Sequence, residues 1–183
     1  MKLKTGKGLT NAEWGAISTA SQTFATLNMH TVENPNLSVN ELRETLQTLT
    51  KKHGKLGAVM IDYLQLMDGD GSENRTQEIS RISRAMKKVA MEFDTTIFLL
   101  SQLSRGVESR TNKRPMMSDL RESGQIEQDA DLILMLYRDE YYDKNSEERG
   151  IAEVNAVKHR EGETGTVKLL FEPEYSRFRN IAR

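Results

Sequence analysis

A chain of 183 residues is long enough for one domain with a real core, whereas two full domains would be cramped. The net charge of −1 means that any contact with nucleic acid has to come from a local basic patch. The chain has no cysteine, which excludes disulfides and thiolate metal sites, and no apolar run reaches the roughly 20 residues that span a bilayer. We therefore expect a soluble cytoplasmic domain with no membrane partner.

The first elements are marked by helix-capping patterns. Thr10 with Glu13, and Ser38 with Glu41, have the spacing of capping boxes, and an apolar stripe follows each pair. These patterns predict two helices. A short candidate strand at 29–33 lies between them.

Buried strands and one long helix make up the rest of the pattern. The run "AVMID" at 58–62 is typical of a strand buried on both faces, and "TTIFLLS" and "DLILMLY" predict two more strands. A helix between the first two strands is predicted by apolar residues that recur every three or four positions: Ile79, Ile82, Met86, Val89 and Phe93. Residues 151–181 predict an antiparallel hairpin across "REGETG". We therefore expect an α/β domain with a mainly parallel sheet flanked by helices and a C-terminal antiparallel hairpin.

Two polar side chains follow predicted strands at positions where ligands bind in open α/β sheets. Asp62 directly follows the run at 58–61, and Gln102 follows "TTIFLLS". A carboxylate there can hold the water shell of Mg²⁺, and an amide can hydrogen-bond a terminal phosphate or an attacking water. The alternative is that the aspartate only caps a strand, which is common in α/β proteins.

The longest motifs carry a resemblance to a known family. "VMIDYLQLM", "FLLSQLSR", "RPMMSDLRESGQIEQDAD" and "VKHREGETGTVKLLF" resemble the RecA-like motor domain of the DnaB family of replicative DNA helicases. The resemblance runs over residues 5–181, and the third string is the most specific of the four. It implies a RecA-like P-loop NTPase core.

The resemblance implies a role for each nucleotide residue. Asp62 looks like the Walker B acid, which binds Mg²⁺ through water, and Gln102 looks like the glutamine that couples the γ-phosphate to the DNA-binding loops. Lys158 and Arg160 match the basic pair that reaches into the nucleotide site of the neighbouring subunit, where a guanidinium stabilises charge on the transferred phosphoryl group. The alternative is that this pair only decorates a solvent-facing hairpin.

The arginine-rich loop at 104–131 has the length of a functional or disordered segment. Within it, "RESG" matches the loop that touches single-stranded DNA in the family, and so implies DNA contacts by Arg121, Glu122 and Gly124. Basic side chains nearby predict a positive rim that grips the DNA backbone without reading sequence: Arg105, Arg110, Lys113 and Arg114. A solvated loop is the alternative for some of them.

A phosphate-binding cradle is missing from the sequence. No G-x-x-x-x-G-K-[ST] motif occurs, and Asp62 is followed by Tyr63 rather than by a second acid. The resemblance implies that the family's cradle and catalytic glutamate lie upstream of the segment matched here, so we expect residues 1–183 to be a single, partial motor domain truncated at the N-terminus. The isolated chain is expected to be inactive, and to self-associate or be marginally stable, because neighbouring strands would expose apolar surface.

The resemblance implies part of a hexameric, ATP-dependent replicative helicase that moves on single-stranded DNA and unwinds the duplex. The implied cofactors are ATP and Mg²⁺, and the implied partners are single-stranded DNA, five further copies in a ring, a primase and a helicase loader. The alternative is a non-catalytic RecA-like module that binds single-stranded DNA or the helicase ring. The acidic segment "RDEYYDKNSEERG" and the scattered histidines have no metal-ligand spacing, so we expect a solvated connection there.

Overall fold

A computed structural model describes residues 8–69, 74–120 and 124–181. Its contacts divide the chain into two compact units, 1–34 and 35–183. A single domain spanning the whole chain stays a prediction, and each unit is described by itself.

The first unit contains one helix, α1 (Asn11–Ala25), among its described residues. The predicted capping box begins it: Thr10 Oγ1 accepts the Glu13 N–H at 3.2 Å, and a Glu13 carboxylate oxygen accepts the Thr10 N–H at 2.7 Å. No residue of α1 is buried within the described chain. The strand predicted at 29–33 is wrong, because this segment is irregular and has no neighbouring strand to pair with among the described residues of its unit.

The second unit begins with two helix–strand pairs. In chain order they are α2 (Val39–His53), β1 (Ala58–Ile61), α3 (Arg75–Glu92) and β2 (Thr96–Leu99). The predicted capping box at Ser38 begins α2, and Gly54 ends it with a φ of 83°, which glycine adopts without strain. The strands β1 and β2 pair in parallel, with Ile61 opposite Leu99.

One hydrophobic core holds the helices against the strands. The predicted stripe of α3 faces inward, and α2 packs beside it. The buried apolar side chains include Leu42, Leu46, Ile61, Leu64, Ile79, Ile82, Met86, Val89, Ile133 and Met135. Because Ile61 and Leu64 lie on either side of Asp62, this core fixes the chain where β1 ends.

The remaining strands form an antiparallel sheet. Its elements follow in chain order: α4 (Gly124–Asp129), β3 (Leu132–Tyr137), α5 (Asp139–Tyr142), β4 (Ile151–His159), β5 (Gly165–Glu172) and β6 (Arg177–Asn180). The strand order is β3-β4-β5-β6, and the predicted hairpin is β4–β5, with Ala156 opposite Gly165. Among the described strands, only β1 and β2 pair in parallel, and an isolated parallel bridge joins Ser38 to Asp68. The connections at 160–164 and 173–176 are too short for parallel crossovers, so β4, β5 and β6 are antiparallel neighbours.

One face of the strands lacks a covering layer in the described part of the chain. Along β3, Ile133 and Met135 are buried, whereas Leu134 and Leu136 on the opposite face are 47% and 63% exposed. On β1, Met60 is 75% exposed. Exposed apolar surface of this kind is typical of sites of association with another protein segment.

Candidate functional site

The segments that carry Asp62 and Gln102 leave the sheet at the same edge. The Leu100 N–H donates to the Ile61 carbonyl at 3.0 Å, and the Leu64 N–H donates to the Leu100 carbonyl at 2.8 Å. These bonds continue the contact between the two chains beyond the last paired residues of β1 and β2. The structure therefore brings together the two strand ends that the sequence singles out, at the edge where α/β sheets bind ligands.

The side chains of Asp62 and Gln102 are available to a ligand. Both residues are exposed, and neither side chain hydrogen-bonds or forms an ion pair with any residue in the described ranges. The interpretation of Asp62 as a strand cap therefore has no hydrogen bond to support it. An exposed carboxylate without a protein partner is the kind of oxygen ligand that hydrated Mg²⁺ takes, so the residues present fit the ion.

Gln65 also belongs to this edge, and the sequence reasoning missed it. It lies in a single 3₁₀ turn, Leu64–Leu66, three residues after Asp62. Its Nε2 donates to Ser101 Oγ at 3.0 Å, and its Oε1 accepts the Gln102 N–H at 3.1 Å. The signal in the sequence was one amide within the apolar run "YLQLM", where a polar side chain has to find partners.

The Gln102 segment is joined to the segment that precedes the predicted DNA loop, which is "RESG" at 121–124. Leu103 pairs with Leu120 in an isolated antiparallel bridge, and the Ser104 N–H donates to the Asp119 carbonyl at 2.8 Å. Leu120 is the last described residue before Arg121 and Glu122, which lie outside the described residues. A direct main-chain contact therefore links the strand end at Gln102 to the start of that loop.

Gly124, the third predicted DNA residue of the loop, is the first residue of α4 and is exposed. An added Cβ at Gly124 would meet no atom within 4 Å in the described chain. The backbone at this position is therefore accessible to a ligand of the size of a phosphate. The contact with DNA itself stays a prediction.

Lys158 and Arg160 bind the carboxyl end of α4. Lys158 Nζ donates to the carbonyl oxygens of Glu127 and Ala130 at 2.5 and 2.7 Å, and Arg160 Nη2 donates to the Gln128 carbonyl at 3.1 Å. Cations are favoured here because the carbonyls at a helix end carry partial negative charge. The pair is therefore not simply solvated, since both side chains contact the helix that follows the predicted DNA loop.

A carboxylate completes this basic cluster. Arg160 Nη1 lies 3.3 Å from Asp131 Oδ1, and Lys87 on α3 donates to the other carboxylate oxygen. The hydrogen bond from Lys87 lowers the pKa of Asp131 below its ordinary value, and the charges of Lys87, Arg160 and Lys158 act in the same direction. Lys87, Asp131 and Arg160 border a cavity of about 420 Å³ that is also lined by Leu132, His159 and Glu161.

The basic residues of the predicted rim differ in their availability. Arg105 is exposed and has no hydrogen-bond or ion-pair partner among the described residues. Arg110 makes a two-fold contact with buried Asp119, at 3.0 and 2.6 Å, and Lys113 Nζ donates to the carbonyls of Glu108 and Arg110. Within the described ranges the Arg105 guanidinium is therefore unbonded, whereas Arg110 and Lys113 help to fold the loop.

Arg114 is joined to the antiparallel sheet. Its Nε and Nη2 donate to the two carboxylate oxygens of Glu153 at 2.8 and 2.7 Å, and its guanidinium lies 4.6 Å from the centre of the Tyr137 ring. Glu153 is 7% exposed, and the Arg114 hydrogen bonds hold the pKa of its carboxyl below the usual range. Burial, followed by the hydrogen bond to Asp139, raises the pKa of Tyr137 to about 12. Nη1 is the Arg114 nitrogen that has no hydrogen-bond partner among the described residues.

The acidic segment after β3 is occupied by local contacts. Asp139 accepts hydrogen bonds from Tyr137 and Ser146, each at 2.6 Å, and Glu140 accepts the Gly150 N–H at 2.9 Å. Within the described ranges, no group of three or more His, Cys, Asp or Glu side chains has a metal-binding arrangement. These carboxylates shape the connection to β4.

Comparison with known families decides to which one the chain belongs. The model of the family described as the DnaB-like helicase C terminal domain matches residues 1–180. The chain belongs to the DnaB family. This confirms the family to which its motifs were assigned. None of the helices in the described ranges is long and apolar enough to cross a membrane.

Its relatives in this family are much longer than the chain. It is 47% identical over 183 residues to the replicative DNA helicase DnaC of Bacillus subtilis and to the replicative DNA helicase DnaB of Geobacillus stearothermophilus. Each match covers 99% of this chain but only 40% of the relative. The chain therefore spans about two-fifths of the length of these curated relatives.

Two solved structures have the same fold as the chain. A solved ATPase domain superposes with a TM-score of 0.94 at 47% identity, covering 99% of this chain and 65% of that domain. A DnaB-like replicative helicase, solved in a study of its interactions with primase, superposes with a TM-score of 0.91 at 47% identity, covering 96% of this chain and 44% of that chain. These similarities confirm the α/β, RecA-like motor fold.

Proposed function

We propose that this chain is part of the motor domain of a hexameric replicative DNA helicase, which uses ATP and Mg²⁺ to move along single-stranded DNA and unwind the duplex. The family and the similarity to a solved ATPase domain support the proposal. The observation that carries it is a physical connection within this chain. Asp62 and Gln102 lie at one sheet edge, and the segment of Gln102 pairs with Leu120, directly before the predicted DNA loop.

In this proposal, Asp62 and Gln102 act on a bound nucleotide. The Asp62 carboxylate holds Mg²⁺ through its water shell, and Mg²⁺ supplies positive charge next to the phosphates. The Gln102 amide hydrogen-bonds the terminal phosphate or the attacking water. Loss of that phosphate removes a partner from Gln102, and the Leu103–Leu120 pairing passes the change to the DNA loop.

Lys158 and Arg160 act on the nucleotide of the neighbouring subunit in this proposal. Their amino and guanidinium groups exchange the carbonyl oxygens of α4 for phosphate oxygens. A guanidinium suits this role because its planar donors match phosphate oxygens and its charge persists at any physiological pH. The exchange replaces neutral acceptors by charged ones, which form stronger hydrogen bonds.

Arg121, Glu122 and Gly124 are proposed to contact single-stranded DNA, with Arg105 and Arg114 as further phosphate contacts. Arg105 is exposed and its guanidinium has no partner in the described part of the chain, which supports its assignment, whereas in Arg114 only Nη1 lacks one there. A true phosphate contact adds about one to the salt dependence of binding. Arg121→Ala is expected to weaken binding to all sequences alike and to lower that slope by about one, whereas an unchanged affinity and slope would remove Arg121 from the interface.

The first experiment tests the acid at the strand end. In the complete helicase that carries this chain, Asp62→Ala is expected to abolish DNA-stimulated ATP hydrolysis. Asp68→Ala is the matched control, because Asp68 is also exposed and its carboxylate has no hydrogen-bond or ion-pair partner among the described residues. Full hydrolysis by Asp62→Ala would contradict the motor function and favour the non-catalytic module.

A mixing experiment tests whether the basic pair acts between subunits. Hexamers made only of Asp62→Ala or only of Arg160→Ala subunits are both expected to be inactive. In mixed hexamers, a subunit with intact Asp62 meets a neighbour with intact Arg160, so hydrolysis is expected to return. Absence of any recovery, in mixed hexamers confirmed by mass, would place Arg160 in its own subunit's site.

Primase is a proposed partner because a similar helicase was solved in a study of its interactions with primase. A helicase loader as a second partner and a cytoplasmic location stay predictions. Pull-down of primase by the complete helicase, with and without the segment covered by this chain, measures whether this part contributes to the contact.

A further inference from the structure

One side chain, Gln65, joins the segment of Asp62 to the segment of Gln102. Its Oε1 accepts the backbone N–H of Gln102 at 3.1 Å, and its Nε2 donates to Ser101 Oγ at 3.0 Å. The strand β2 ends at Leu99, and no backbone carbonyl in the described ranges accepts the Gln102 N–H. The amide of Gln65 therefore supplies the acceptor that the sheet does not.

Gln65 is itself firmly held. Its neighbour Leu64 is completely buried in the core, and the Leu64 N–H is bonded to the Leu100 carbonyl. Arg75 Nη2 donates to the Gln65 carbonyl at 2.8 Å, and Arg75 also pairs with Glu78 in the first turn of α3. A side chain whose main chain is fixed on both sides loses little freedom when it makes its own hydrogen bonds.

We propose that Gln65 is a positioning residue that fixes the main chain of Gln102 beside Asp62 for ATP hydrolysis. Gln65 does not contact the nucleotide; it acts through Gln102. The inference rests on the proposed function and deepens it. Since Leu103 pairs with Leu120, a displaced Gln102 main chain also disturbs the connection towards the DNA loop.

The test uses Gln65→Met, which keeps the length of the side chain and removes its hydrogen bonds. In the complete helicase, this variant is expected to lower kcat for DNA-stimulated ATP hydrolysis about tenfold and leave KM for ATP within about twofold, since misplacement of a reacting group affects the chemical step. Ser101→Ala is the control, because it removes the partner of Nε2 and a long 3.4 Å bond from Ser101 Oγ to the Gln102 carbonyl, but keeps the bond between Gln65 Oε1 and the Gln102 N–H. Its kcat is expected to stay close to that of the wild type.

A double-mutant cycle shows whether Gln65 acts through Gln102. Adding Gln65→Met to Gln102→Ala is expected to cause no further fall in kcat, because the group that Gln65 positions is already gone. If Gln65→Met lowers kcat equally in the wild type and in Gln102→Ala, the positioning role is overturned and the proposed function stands. The same conclusion follows if Gln65→Met has a wild-type kcat while Gln102→Ala is impaired. A wild-type kcat for Gln102→Ala overturns the sensor role in the proposed function, and the inference with it.

A second measurement on this chain does not depend on catalysis. Amide hydrogen exchange at Gln102 is expected to become about tenfold faster in Gln65→Met, while exchange at Leu64 stays unchanged. Unchanged exchange at Gln102 would overturn the proposal whatever the helicase assay shows.

Discussion

Replacing Arg114 by methionine is expected to destabilise the fold, because it leaves the buried carboxylate of Glu153 without a partner. The side chain of Glu153 is 9% exposed and that of Arg114 is 46% exposed. Removing one member of a buried ion pair costs about 3–5 kcal/mol, and we expect about 3 kcal/mol because water can reach this pair from the arginine side. In a chain of this size, 1 kcal/mol lowers Tm by about 2–4 °C, so the expected fall is about 6–12 °C.

The effect of Arg114→Met is also expected to depend on pH. Arg114 holds the pKa of Glu153 below its ordinary value, so the pair contributes its full stability above the unfolded pKa of about 4.3. That contribution is lost as the pH falls through the lower, folded value. Without Arg114, burial raises the pKa of Glu153. Protonation at low pH then removes the unpaired buried charge, so the variant is destabilised less. The difference in Tm between wild type and variant should therefore narrow from pH 7 to pH 3.

Thermal unfolding followed by circular dichroism at pH 7, 5 and 3 measures this prediction. Arg105→Met is the matched control, because Arg105 is an exposed arginine without a described partner, and its Tm should stay within about 2 °C of wild type. Equal Tm values for the two variants at pH 7 would refute the reasoning. The reasoning would also be refuted if the difference in Tm between wild type and Arg114→Met stayed constant from pH 7 to pH 3.

Three further predictions follow from packing and surface contacts. Leu64→Ala removes a completely buried side chain and should lower the free energy of unfolding by about 2–5 kcal/mol in urea; a loss below 1 kcal/mol would contradict its place in the core. Lys158→Ala should speed hydrogen exchange in residues 124–131, because the α4 carbonyls lose their cation; unchanged exchange would contradict this capping role. The double variant Leu134→Thr with Leu136→Thr should lower the average mass of the chain in sedimentation equilibrium, whereas an unchanged mass would show that this face does not drive self-association.

Local sequence signals predict local structure well in this chain. The capping box at Ser38 and the stripe of α3 both form as predicted, because each depends on residues three or four positions apart. The segment 29–33 has strand-like residues but no strand beside it among the described residues of its unit, and such pairing is decided by tertiary contacts. The same limit applies to the site, since the sequence singled out Asp62 and Gln102 by their position after strands but missed Gln65. Gln65 is recognisable only when Ser101 and Gln102 are brought next to it.

Hydrogen-bond satisfaction distinguishes the candidate DNA-binding arginines from one another, which charge alone does not. A buried polar group without a partner costs about 1–3 kcal/mol, so a fold tolerates partnerless groups mainly where water reaches them. Asp62, Gln102 and Arg105 are in that position, exposed and without a side-chain partner among the described residues. Arg110 and Arg114 have the same charge as Arg105 but are bonded to buried carboxylates. Charge alone would rank all three arginines equally for DNA binding, whereas their contacts rank Arg105 first.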